Sequence, residues 1–105
     1  MSREQIASRY DAFRKGLVKG IPETTTGNNR LVVTPGILGL GDAAVVVALN
    51  KVAAFDDFTE DNDPYGEHDF GTFTVEGEKC FWKIDNYNGQ EGIDLLMTVM
   101  LAWEY

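Results

Sequence analysis

Residues 55–70, FDDFTEDNDPYGEHDF, hold seven carboxylates and the chain's single histidine, His68, with no lysine or arginine among them. Two chemistries suit such a stretch: capture of a hard cation, and electrostatic recognition of a basic surface. Asp61, Asp63, Gly66, Glu67 and Asp69 stand at positions 1, 3, 6, 7 and 9 of a calcium loop. The pattern then breaks. Tyr65 takes position 5, Thr72 stands at 12 where a bidentate glutamate belongs, and Pro64 and a following strand replace the exiting helix. Asp61, Asp63, Glu67 and Asp69 therefore make up an alternative, divalent-cation reading. The simpler reading is a solvated acidic loop whose Asp and Asn side chains cap its own turns.

Other chemistries find less support. Glu67-His68-Asp69 lines up three possible ligands, but alternation along a strand would turn His68 away from the two carboxylates. A nucleophile would have to be Cys80, Ser2 or Ser8 acting with His68. Cys80 falls on an apolar hairpin face, where burial suppresses the thiolate, and Ser2 is used as a helix cap. Paired carboxylates in an open loop lack the burial that raises an acid towards neutrality. TPGILGLGD has glycines in the order G-x-x-G-x-G, which is not a dinucleotide fingerprint, and Asp42 would repel phosphate at the helix start. It reads as a tight turn. The residues point to a non-enzymatic protein with no cofactor.

A chain of 105 residues, 44% hydrophobic and 11% aromatic, fits a single domain spanning 1–105 with a modest core. No apolar run is long enough to cross a bilayer, no secretory signal is visible, and one cysteine excludes an internal disulfide. A cytoplasmic location is expected. The net charge of −8 is unevenly spread: residues 1–30 carry six basic groups against three acidic, and the remainder three lysines against fourteen carboxylates. Such a body repels nucleic acid and favours a basic partner.

Several elements would position these groups. Ser2 and Gln5 have capping-box spacing, and Ile6, Tyr10, Phe13 and Leu17 form one apolar stripe of an amphipathic helix within residues 1–22. Its charges, Arg14 included, are assigned to the wet face. Gly16, Gly20 and Pro22 are expected to end it. Leu31–Thr34 reads as a strand, and Asp42 opens a second helix, Ala43 to about Phe55, apolar enough to be buried on most sides. The acidic loop, 56–69, follows. Phe70–Glu76 and Lys79–Tyr87 read as a hairpin about Gly77-Glu78, pairing Val75 with Cys80 and Phe73 with Trp82. Leu95–Tyr105 reads as a last helix with Trp103 on its apolar stripe. The order α-β-α-β-β-α gives an α+β domain: a mainly antiparallel three-stranded sheet with three helices packed on it.

FDDFTEDNDPYGEHDFG, FWKID and the closing TVMLAWEY resemble a family of small bacterial proteins known as domain of unknown function 3768. The likeness covers roughly residues 31–105, with NYNGQEG shorter than the family's usual segment. The resemblance implies a setting in alphaproteobacteria and on mobile elements, and supplies no catalytic residues.

The acids alternate with Phe55, Phe58, Tyr65 and Phe70, which can pin the loop to the body. The expected function is electrostatic recognition of a basic, nucleic-acid-binding protein. A host-defence inhibitor of the anti-CRISPR or anti-restriction kind is the concrete form. Asp56, Asp57, Glu60, Asp61, Asp63, Tyr65, Glu67 and Asp69 are the expected partner-binding residues. No contact with membrane or direct contact with nucleic acid through the main body is expected. A divalent-cation protein and a structural or assembly module are the alternatives.

Overall fold

The structure, a computed structural model, describes residues 2–19 and 28–105. The first helix, α1, spans Arg3–Lys15. The expected capping box forms: Gln5 N donates to Ser2 Oγ at 3.2 Å and Ser2 N to Gln5 Oε1 at 2.8 Å. Tyr10, Phe13 and Leu17 of the stripe are buried, and Ile6 packs partly against them. A 3₁₀ turn, Gly16–Lys19, continues the helix. Gly20 and Pro22, expected to end it, lie outside the described residues.

Strand β1 (Arg30–Val33) leads into a single helical turn, α2 (Pro35–Leu38), where a plain tight turn was expected. Proline suits the first position of a helix, because its fixed φ is helical and no donor is lost there. Helix α3 (Asp42–Ala54) lays Ala44, Ala48, Leu49, Val52 and Ala53 into the core. It is less enclosed than its run AAVVVAL suggests, since Val46 is 60% exposed and Val47 also faces solvent.

The C-terminal half departs from expectation. Beyond β2 (Phe70–Val75) and β3 (Glu78–Asn86), Leu95–Leu101 forms a strand, β4, followed only by a 3₁₀ turn at Ala102–Glu104. The sheet is four-stranded and mixed, in the order β1-β4-β3-β2, with β1 parallel to β4 and the other pairs antiparallel. A last helix on a three-stranded sheet is therefore incorrect. β4 lies between two strands, and LLMTVML is apolar at every step but Thr98, so helical and strand periods fit it equally. The backbone pairing available on both sides decides. Leu95, Met97, Val99 and Leu101 point into the helix layer. Trp103, assigned to an apolar stripe, is 75% exposed, whereas Trp82 is fully buried.

The hairpin register also moves. Val75 pairs with Glu78, Phe73 with Cys80 and Gly71 with Trp82, two residues from the expected pairing. The turn is Glu76-Gly77, both at positive φ (54° and 74°), the signature of a type I′ connection. A two-residue shift keeps every side chain on its face, so Val75, Cys80, Trp82 and Ile84 still face the core. In this register Gly71 lies opposite Trp82, and the indole packs where a side chain on residue 71 would stand.

The C-terminal turn is fastened by Glu104. Its carboxylate accepts from Thr34 Oγ1 at 2.6 Å, Leu101 N at 2.9 Å and Gly36 N at 3.0 Å. The Thr34 hydroxyl, with the two backbone donors, outweighs partial desolvation and holds the Glu104 pKa below its ordinary value. With the folded-state pKa depressed, ionised Glu104 stabilises the fold above the usual carboxylate range. That contribution disappears as pH falls through the depressed value. Glu104→Gln is therefore expected to melt below wild type at about pH 7, with the gap narrowing as pH falls below the ordinary carboxylate range. Thermal melts across that range check it.

Candidate functional site: the acidic loop

The loop begins where α3 ends, and a helix end presents carbonyls with no partner of their own. Arg14 supplies the donors. Its Nη1 lies 2.9 Å from Val52 O, 3.0 Å from Ala53 O and 2.7 Å from Phe55 O, while Nη2 lies 2.9 Å from Asp11 Oδ1. The guanidinium carbon sits 5.4 Å from the Phe58 ring centroid and 5.3 Å from that of Trp82. Arg14 is 1% exposed, so its placement on the wet face of α1 is overturned. At i+4 from Tyr10 it falls on the buried side of the helix, where its charge is used to cap α3.

Aromatic packing holds the next segment down. Phe58 meets Phe55 edge-on at 5.0 Å and Trp82 at 6.2 Å, and stacks on His68 at 3.9 Å with the rings 3° from parallel. His68 Nδ1 lies 3.0 Å from both Asp11 carboxylate oxygens, and its Nε2 lies 3.8 Å from Asp63 Oδ2. With φ at 58°, His68 has left-handed backbone just before β2, so strand alternation does not govern Glu67 to Asp69. Between Phe58 and His68 the chain turns on its own polar groups. Thr59 N donates to Asn62 Oδ1, Asn62 N to Thr59 Oγ1 and Asn62 Nδ2 to Asp57 O.

The expected partner-binding residues divide into four groups. Asp56, Asp57, Glu60 and Asp61 are exposed, and none makes a side-chain hydrogen bond or ion pair among the described residues. Tyr65 is exposed beneath the Arg3 guanidinium, 5.3 Å from the ring centroid. Glu67 and Asp69 are half-buried, and burial is the main cause that pushes the Asp69 pKa up, with Glu67, Asp63 and Asp85 adding repulsion.

Asp63 differs from all of these. It is buried, and its carboxylate accepts from Glu67 N at 3.1 Å and His68 N at 3.2 Å, as a helix N-cap does for its own first turn. Asp63→Ala is therefore expected to cost about 1–2 kcal/mol, and Asp61→Ala no more than about 0.5 kcal/mol. Urea unfolding of the two variants measures the difference.

A cleft of about 530 Å³ separates α1 from the loop, with Ser8, Asp11, Lys15, Gly66 and His68 on its walls. Among the described residues no three His, Cys, Asp or Glu side chains converge to hold a metal ion. Asp61 points outward while Asp63 serves the backbone, which separates two members of the expected cation set. Cys80 is fully buried, and burial raises its thiol pKa. No helix among the described residues is long and apolar enough to cross a membrane.

Sequence reasoning missed Asp11, Arg14 and the Phe58–His68 stack. The available signal was Arg14 itself, a charge at helical spacing from Tyr10 inside an apolar stripe.

These features define an α+β domain with helices on one face of a four-stranded mixed sheet, carrying an acidic loop clamped at both ends. The family model described as "Protein of unknown function (DUF3768)" matches residues 33–104, and the chain belongs to that family. No curated protein and no solved structure matches it.

Proposed function

We propose that this chain is a small, non-enzymatic binding protein whose loop carboxylates engage a basic, nucleic-acid-binding protein. The observation that carries this reading is the division of labour within the loop. Asp63, His68 and Phe58 face inward and hold it, leaving Asp56, Asp57, Glu60 and Asp61 outward and unpaired among the described residues. Like charges crowded at a surface repel one another, and a fold retains them at a cost that a cationic partner offsets. A pinned array also avoids most of the ordering cost of binding.

The concrete form is an inhibitor of a host-defence nuclease, of the anti-CRISPR or anti-restriction kind. The outward acids would take the place of phosphates in the nuclease's basic groove. Small size and a net charge of −8 support that form. Because Asp63 is a structural cap, the informative reversal is Asp57→Lys with Asp61→Lys. Cleavage assays with purified CRISPR and restriction nucleases should show an inhibited enzyme that the double variant no longer inhibits, with the variant's melting temperature close to wild type. Full inhibition by the double variant, or no inhibited enzyme in either class, would sink this form of the reading.

A second reading, an assembly module, is favoured by Val46 and Val47 on the outer side of α3. Sedimentation equilibrium separates it: a stable homodimer that Val46→Glu dissolves would support assembly, and a monomer would rule it out.

A further inference from the structure

The outward carboxylates lie in residues 56–61, yet the groups that fix the loop's path belong to α1. Arg14 Nη1 gathers the carbonyls of Val52, Ala53 and Phe55, where α3 passes the chain to the loop. Asp11, one turn earlier on α1, holds His68 at the loop's other end. Arg14 and Asp11 pair at 2.9 Å, so the entry and exit of the loop are tied to a single turn of one helix. Phe58 fills the space between, with its ring stacked on His68 and near the Arg14 guanidinium. Helix α1 lies before the segment matched by the family model, which begins at residue 33.

We propose that α1 is the positioning element of the recognition loop, with Asp11 and Arg14 as positioning residues that preorganise the acids of 56–61. The inference rests on the loop being the recognition surface. A loop closed at both ends samples fewer conformations when free, so its carboxylates reach a cationic partner already arranged. Loosening the clamp must then weaken binding even when every outward charge is kept. A side chain with a merely local structural role would lack that effect.

The test uses Asp11→Asn and His68→Asn, since Arg14 variants risk unfolding. Asparagine tolerates the left-handed backbone at His68, so that variant removes the ring and little else. Glu91→Gln, exposed and making no side-chain hydrogen bond or ion pair among the described residues, controls for one lost charge. Hydrogen exchange across residues 56–69 should quicken about tenfold in both clamp variants, with β3 and β4 protected as in wild type. Affinity for a nona-arginine peptide should fall at least about threefold further than in Glu91→Gln. Exchange and affinity matching the control would overturn the proposal. If wild type itself does not bind the peptide, the recognition reading falls, and exchange alone decides the positioning claim: a tenfold rise upholds it and no change refutes it.

Discussion

Arg14→Ala is expected to destabilise the protein by about 3–4 kcal/mol, lowering the melting midpoint by roughly 15 °C. The side chain is 1% exposed and donates to three carbonyls at the end of α3 and to Asp11. Removal strands carbonyls that are buried or part-buried, leaves the Asp11 carboxylate short of its partner, and opens a gap beside Phe58 and Trp82. Arg14→Lys should recover little of the loss. An ammonium has no planar fork to serve carbonyls and carboxylate together, and it is harder to strip of water. Thermal and urea unfolding of both variants measures the cost. A loss below about 1 kcal/mol for alanine would mean the buried charge is worth no more than an average surface residue.

The second large effect is at Gly71. A Cβ there would lie 2.8 Å from Phe55 Cζ and equally close to Trp82 Cε2, with the indole nitrogen nearer still. The indole has no free space to retreat into. Phe55 and Trp82 meet edge-on at 5.5 Å, and Trp82 is fully enclosed. Gly71→Ala is therefore expected to cost about 2–3 kcal/mol, although alanine ordinarily costs a strand nothing relative to glycine. Thr72→Ala, one step along on the outward face, should stay within about 1 kcal/mol. The decisive comparison is a double-mutant cycle with Trp82→Phe. The smaller ring should make the Gly71→Ala penalty shrink, and an unchanged penalty would show that the collision is not with the indole.

What was legible in the sequence follows from which forces are local. The capping box of Ser2 and Gln5 and the stripe of Tyr10, Phe13 and Leu17 depend on residues within one helix, and both are present. The hairpin faces were legible because alternation fixes them. Its register was not, because a slip of two leaves the faces alone, and the pairings differ in the turn residues and in neighbours such as Gly71 and Trp82. For β4 the difficulty was a run so apolar that no period showed, with the deciding neighbours, β1 and β3, distant in sequence.

Within the loop, the acidic character and the pinning role of Phe55 and Phe58 could be read directly, whereas Tyr65, expected to share that role, is exposed. Which carboxylates face out could not. Asp63 is drawn inward by the amides of Glu67 and His68, and Arg14 by the end of α3, through contacts that exist only once α1, α3 and the loop have met. The same meeting explains how one buried arginine both caps α3 and fixes where the loop begins.

Recognition through the loop would depend on where the negative charge sits, beyond how much of it there is. The direct measurement is titration of a fluorescent nona-arginine peptide with wild type and two variants of equal net charge. One neutralises Asp56, Asp57, Glu60 and Asp61 to their amides. The other does the same to Asp42, Glu76, Glu78 and Glu91, which are also exposed. Location-dependent recognition predicts that the first variant loses at least about tenfold in affinity at moderate salt, and that the second remains within about threefold of wild type. Equal losses in the two would show that bulk charge alone attracts the peptide and would contradict the account.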